Sequence, residues 1–267
     1  MTEPTAGPAR HTPEGPAPGA PESPGPVSFG FAPGTLAVVT GAGSGIGRAT
    51  ALLGAAAGLD VASWDLDAAA AERTAAEIVD NGGRATWAQV DVTDPAAVAA
   101  GFDGLERPAR YLVNNAGPAS GAASPFADGL VNGAGSMELV TRTWLDTELP
   151  PGASLVNVAS VAGNVIGAEP DWYAATKAAV TGYTRHLAVH RADRIRANAV
   201  APGMVATPRS VGFADHEPLV RALARNPLGR MGEADEIAWT ILFLLSPLAS
   251  YVNGVLLVVD GGWTVAP

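Results

Sequence analysis

Leu36-Ala-Val-Val-Thr40 runs directly into Gly41-Ala-Gly-Ser-Gly-Ile-Gly47, and Arg48 to Ala57 follows in a helical pattern. A short β-branched run, a glycine turn and a helix start together make an anion site. The bare amides and the dipole of the helix face the anion, and glycines let it come close. The spacing, Thr-Gly-x-x-x-Gly-x-Gly, has one more residue between its first two glycines than the common GxGxxG pattern. In a chain with 32 glycines the loop alone says little. Its place between a strand and a helix is what points to an α/β domain with phosphate held at the strand ends.

Outward from this unit the same alternation repeats. Leu59-Asp-Val-Ala-Ser-Trp64-Asp65 reads as a second strand ending in a carboxylate eighteen residues after Gly47. A dinucleotide fold places there the acid that accepts hydrogen bonds from the adenosine ribose. A carboxylate repels a 2′-phosphate, and no Arg or Lys stands at Ser44 or Leu66 to attract one, so NAD is predicted over NADP. A helix from Ala68 to Asn81 leads to a strand from Ala85 to Val90, after which Asp91 and Val92 could flank an adenine. A helix from Pro95 to Leu105 and a strand over Tyr111-Leu-Val113 then lead into Asn114-Asn-Ala-Gly117. The next helix, Asp128 to Leu149, carries Asn132 in its first turns, and the strand Ala153 to Val158 ends just before Ser160. Later come a strand from Ile195 to Val200, the turn Ala201 to Thr207, a helix from Glu233 to Leu245 and a strand from Val255 to Val259. Alternating strands and helices predict one doubly wound domain: about seven parallel strands, helices on both faces, ligands at the carboxyl ends. The weakly periodic stretch Thr207 to Arg230, with a short helical patch around Leu219 to Leu223, reads as a substrate lid.

Lys177 is the sole lysine among sixteen basic side chains. An ammonium is a compact donor of three hydrogen bonds, which a planar guanidinium cannot replace. In Tyr173-Ala-Ala-Thr-Lys177 the phenol and the ammonium share one helix face. A positive charge at roughly 4 Å and an effective dielectric near 20 contributes about 4 kcal/mol, enough to lower a phenol pKa by up to roughly three units. The phenol then becomes a proton acceptor near neutral pH. An isolated Tyr-x-x-x-Lys is usually incidental, but Ser160 lies thirteen residues upstream at a strand end. A hydroxyl facing a phenol across a cleft can hold one substrate oxygen between them.

Composition bounds the rest. With 267 residues, 48% hydrophobic and 16% charged, the chain can bury a large core without staples. Residues 1–28 hold eight prolines and almost no large apolar side chain, which predicts a disordered Pro/Gly/Ala-rich tail ahead of a domain over 29–267. Without cysteine there is no disulfide framework, and four scattered histidines without metal-ligand spacing predict no catalytic metal. A formal charge of −10 disfavours nucleic acid and anionic membranes as partners. The apolar run Ile237 to Leu245 is too short to span a bilayer, and no apolar signal region opens the chain, so a cytoplasmic protein is expected.

Taken together, TGAGSGIG (Thr40 to Gly47), NNAG (Asn114 to Gly117), Ser160, YAATK (Tyr173 to Lys177), APGMVAT (Ala201 to Thr207) and VDGG (Val259 to Gly262) resemble the short-chain dehydrogenase/reductase family, a Rossmann-type fold. The resemblance covers about Gly34 to Gly262. It implies an NAD(H)-dependent oxidoreductase interconverting a secondary alcohol and a ketone. It also implies that Tyr173 is the general acid/base, that Ser160 bonds the reacting oxygen, and that Lys177 lowers the phenol pKa and binds the nicotinamide ribose. Asn132 would hold the water of a proton relay. Gly41, Ser44, Gly45, Ile46, Asp65, Leu66, Asp91, Val92, Asn115, Ala116, Gly117, Pro202, Gly203, Val205 and Thr207, with Tyr173 and Lys177, would line the cofactor.

The segment between Gly117 and Asn132 is about seven residues shorter than is usual for the family. The closing helix and strand resemble the surface by which such enzymes pair, implying a homotetramer, or a homodimer if the short segment limits assembly. Pro118 to Phe126, Val161 to Ile166, Met204, Phe213 and His216 would wall an apolar substrate pocket suited to a hydrophobic, cyclic small molecule. Two alternatives stay open: an NADPH-dependent ketoreductase of a carrier-bound or polyketide-like substrate, and a non-catalytic member that senses its cofactor.

Overall fold

The computed structural model describes residues 28–211 and 223–266. The tail 1–27, most of the helical patch at Leu219 to Leu223, and the pocket residues Phe213 and His216 lie outside the described residues. The order begins β1 (Leu36–Thr40), α1 (Gly45–Ala56), β2 (Asp60–Asp65), α2 (Ala68–Asp80), β3 (Arg84–Gln89), α3 (Pro95–Asp103), β4 (Tyr111–Asn114). It continues with α4 (Phe126–Leu130), a π-helical segment (Val131–Gly135), α5 (Ser136–Leu145), β5 (Ala153–Val158), α6 (Asp171–His190), β6 (Ile195–Pro202), β7 (Val205–Ala206) and α7 (Pro208–Val211). The chain closes with β8 (Gly232–Glu233), α8 (Ala234–Leu245) and β9 (Leu256–Val259).

Seven strands form one parallel sheet in the order β3-β2-β1-β4-β5-β6-β9, a Rossmann-like arrangement. The chain winds outward from β1 through β2 to β3, then returns to β4 and winds the other way. The carboxyl ends of β1 and β4 therefore flank a crevice from which successive connections depart in opposite directions, the place where such sheets bind ligands. Side chains of adjacent strand residues go to opposite faces. Val39, Val61, Val113 and Val200 pack with Ile237, Ile241 and Leu242 of α8. Val38, Trp64, Leu112 and Leu155 pack with Val98, Val140, Trp144 and Leu187 of α3, α5 and α6. Burying both faces explains why the strands read as nearly continuous apolar runs.

Most boundaries shift by one to three residues; the larger differences concern the helix after β4 and the end of β6. The helix expected over Asp128 to Leu149 starts two residues earlier and stops at Leu145. Pro150 and Pro151 force the preceding backbone toward extended conformations, which ends the helix before them. It is also broken by a π-helical turn around Asn132. β6 continues to Pro202 because β9 pairs with it there, Ala201 opposite Val258 and Pro202 opposite Val259. Pro202 lacks an N–H, yet its carbonyl accepts from the Val161 amide at 3.1 Å. Among the described residues, no helix is long and apolar enough to cross a membrane.

Candidate active site

The crevice is laced at its base by Thr40 and Asn115. The Thr40 hydroxyl donates to Val113 O at 3.2 Å and accepts from the amides of Asn115 (3.0 Å) and Ala116 (3.1 Å). Asn115 Nδ2 returns bonds to the carbonyls of Thr40 and Gly41. The two asparagines share the bracing: Asn115 holds the turn, while the buried Asn114 donates to Thr141 and Asn157 beneath it.

Above this base lies the glycine turn. A Cβ added at Gly47 would stand 2.0 Å from Gly41 O and 2.5 Å from Asn115 Nδ2, so only glycine lets α1 start so close to β1. Ser44, at the N-cap of α1, makes no side-chain capping bond, and the first-turn amides stay open to an acceptor in the crevice. Asp65, at the end of β2, accepts from the Gly43 amide at 2.8 Å and the Asp67 amide at 3.0 Å. This carboxylate therefore pins the turn as well as facing the cleft. Asp91 lies farther along the same wall, and the hydroxyl and amide of Thr93 hold its carboxyl below the ordinary range.

The opposite wall is built from α6 and the connection that leads to it. The Gly163 backbone (φ 74°) lies so near α6 that a Cβ there would meet Ala174 O at 1.9 Å. Asn164 Nδ2 donates to Ser160 O at 2.9 Å and to Lys177 O at 3.0 Å. Ser160 and the helix bearing Tyr173 are thereby held together, although thirteen residues separate them. Lys177 Nζ lies 5.6 Å from the centre of the Tyr173 ring and donates to Val158 O at 2.8 Å, at the end of β5. Tyr173, Lys177 and Ser160 are all half-buried.

Asn132 sits in the π-helical turn and is exposed to the cleft. The turn docks on α6 through glycines: added Cβ atoms at Gly129 and Gly133 would strike Trp172 at 2.7 Å and Thr176 at 2.4 Å. The Asn132 carbonyl accepts from the Ser136 hydroxyl at 2.7 Å. Local π-helical turns frequently occur at functional positions.

Every residue singled out from the sequence as catalytic or cofactor-lining borders one cleft of about 1320 Å³. That exceeds the usual ligand pocket and can admit a dinucleotide together with a second molecule. The expected substrate wall is narrower than predicted: Pro118 to Ala122, Val161, Ala162, Ile166 and Met204 border the cleft, while Phe126 does not. Sequence reasoning missed Met137, Ala168, Glu169, Trp172, Met231 and Trp263. The last two come from segments remote in the chain. Glu169 and Trp172 lie within four residues of Tyr173, a proximity that could have flagged them. A second hollow of about 450 Å³ between α5 and α6 holds none of these residues. Among the described residues, no cluster of three or more His, Asp or Glu could hold a metal ion.

The family model described as enoyl-(acyl carrier protein) reductase matches residues 41–264. Galactitol 2-dehydrogenase (L-tagatose-forming) of Cereibacter sphaeroides is 38% identical over 248 residues, 87% of this chain and 96% of that protein. Cis-4-hydroxycyclohexanecarboxylate dehydrogenase of Sinomonas cyclohexanicum is 39% identical over 257 residues, 86% of this chain and 96% of that protein. The structure of a 7α-hydroxysteroid dehydrogenase complexed with NADH and 7-oxo glycochenodeoxycholic acid superposes with a TM-score of 0.80 at 32% identity, covering 86% of this chain and 94% of the other. Other solved structures of similar likeness carry NADP. With these matches and this fold, the chain belongs to the short-chain dehydrogenase/reductase family.

Proposed function

We propose that the protein is an NAD(H)-dependent oxidoreductase that interconverts a secondary alcohol and a ketone on a hydrophobic, cyclic small molecule. One observation carries the reading: Ser160, Tyr173 and Lys177 border the same cleft as the glycine turn and Asp65. The residues fit a dinucleotide, since the N-cap Ser44 leaves the first-turn amides of α1 without a side-chain acceptor and Gly41, Ser44, Gly45 and Ile46 border the cleft. A bound nicotinamide dinucleotide would supply the two-electron donor or acceptor. The turn amides would hold its phosphates, Asp65 and Leu66 would flank the adenosine ribose, and Asp91 and Val92 the adenine. Asn115 to Gly117, Pro202, Gly203, Val205 and Thr207 would line the nicotinamide half.

On oxidation the Tyr173 phenolate takes the alcohol proton, and on reduction the phenol returns it to the ketone oxygen. The Lys177 ammonium favours the phenolate by its charge and would also hold the ribose hydroxyls of a bound dinucleotide. Ser160 orients the reacting oxygen, and the Asn132 segment passes protons from Lys177 toward solvent. The choice of NAD rests on Asp65, which repels a 2′-phosphate. The cyclic substrate rests on the apolar walls and on the cyclohexane-carrying relative. Tyr173→Phe should lower kcat by about 10² to 10⁴-fold and leave NAD affinity, followed by tryptophan fluorescence, within about threefold of wild type on the same scale of general acid/base effects. Turnover retained by that variant would refute the assignment.

An NADPH-dependent reductase of a carrier-bound substrate is favoured by the description of the matching family model and by the NADP-bound relatives. Comparing KM for the two cofactors separates the readings. Assembly into a homotetramer or homodimer is part of the proposal and is read by light scattering.

A further inference from the structure

The sheet order divides the cleft. Asp65 and Asp91 follow β2 and β3 at one end, while the β5–α6 connection borders the other. At that second end stands Glu169, four residues before Tyr173 and just ahead of α6. Glu169 is exposed on the cleft wall, and a second carboxylate, Asp171, stands two residues on in the first turn of α6. No hydrogen bond or ion pair engages the Glu169 carboxylate among the described residues. Lys177 is the one cation among the described residues bordering the cleft, and its ammonium is committed at the Tyr173 ring and Val158 O.

A carboxylate beside a helix N-terminus has a bland explanation, since the dipole favours it there. That role calls for a place at the helix end but not for a place on the cleft wall. Resting on the alcohol/ketone reading above, we propose that Glu169 selects the charge of the substrate. The site takes an alcohol whose far end is uncharged or carries an ammonium, and it discriminates against one whose far end is a carboxylate. An ammonium or hydroxyl reaching Glu169 would donate to it, whereas a carboxylate would meet a like charge.

The experiment uses cyclohexanol, cis-4-aminocyclohexanol and cis-4-hydroxycyclohexanecarboxylate as matched probes with NAD, in wild type and Glu169→Gln. In wild type, kcat/KM should favour the amine over the carboxylate by at least about tenfold, chiefly through KM, and added salt should narrow the gap. Glu169→Gln should bring that ratio to within about threefold of unity, as expected when only a charge is removed. Preference for the carboxylate in wild type, or a ratio that Glu169→Gln leaves unchanged, overturns the proposal. Binding of the same cyclohexanols to the protein with NADH, a pair that cannot react, titrated by fluorescence, reads charge selection without turnover. If no alcohol is oxidised but those affinities still separate by charge and converge in Glu169→Gln, the oxidoreductase reading fails and the charge selection stands. Equal affinities for the amine and the carboxylate overturn the charge selection whatever the turnover shows.

Discussion

Replacing Asp65 by Asn tests the cofactor reading at the place where structure and specificity meet. The substitution keeps the shape and removes the charge, so three consequences separate. A 2′-phosphate brought within roughly 5 Å of a carboxylate, at an effective dielectric near 20, is opposed by about 3 kcal/mol per unit charge. Asp65 is half-buried, and solvent screening leaves about tenfold of that penalty to be relieved for NADP. Loss of the charged acceptor for a ribose hydroxyl weakens NAD alone, by a further factor of about ten. The third consequence falls on both cofactors. Asp65 accepts from the amides of Gly43 and Asp67, and an amide side chain facing both can serve only one of them. The glycine turn loosens, and the variant should unfold at lower temperature than wild type. The NAD-to-NADP ratio of kcat/KM should therefore fall by about 100-fold, the product of the first two factors. Steady-state kinetics with both cofactors and a thermal scan of the same preparations measure all three. A ratio that moves less than threefold, or a wild type that prefers NADP, would show that Asp65 is only a brace for the turn.

Gly47→Ala places a methyl against Gly41 O and Asn115 Nδ2, so NAD affinity measured by calorimetry should fall more than about tenfold; undiminished binding would place the phosphates elsewhere. Arg196, half-buried on β6, donates to the carbonyls of Leu244, Leu245, Ser246 and Val252, closing the end of α8 where the helix dipole is negative. Arg196→Met should cost about 2–4 kcal/mol in urea unfolding through acceptors left without donors, and an unchanged midpoint would mean that water serves them equally well. Burial pushes the Asp260 carboxyl up, but the Thr264 hydroxyl, the Thr264 amide and the Gly262 amide outweigh it and hold the group below its ordinary value. The folded state then binds fewer protons than the unfolded one in acid. Its contribution is complete above the unfolded value near about 4 and is lost as pH falls through the folded value. Asp260→Asn should flatten the acid side of the stability profile, and an identical pH 3 to pH 7 difference in both proteins would contradict the linkage.

Much of the site was legible because its parts are local. A strand, a glycine turn and a helix start lie within some twenty residues, and the helical repeat alone brings Tyr173 and Lys177 to one face. Legibility failed where packing overrides periodicity. The π-helical turn at Asn132 differs from an α-turn by one residue of slippage, which no apolar pattern registers, and it is fitted against Trp172 and Thr176 by Gly129 and Gly133. β6 outruns its local apolar pattern because β9, more than fifty residues later, supplies the partner that extends it.

What the amino-acid order determined by itself is the sequence of strand and helix, the anion-binding turn and the Tyr–Lys face, since each follows from backbone preferences over a few residues. What only the tertiary structure decided is how those pieces meet. Ser160 reaches the same cleft as Tyr173 because Gly163 and Asn164 press the strand-end turn onto α6. Asp65 braces the glycine turn because parallel pairing sets β2 beside β1. Met231 and Trp263 border the cleft because distant segments fold over one sheet end. Contacts between residues far apart in the chain depend on the packing of the whole sheet, and no local pattern carries that information.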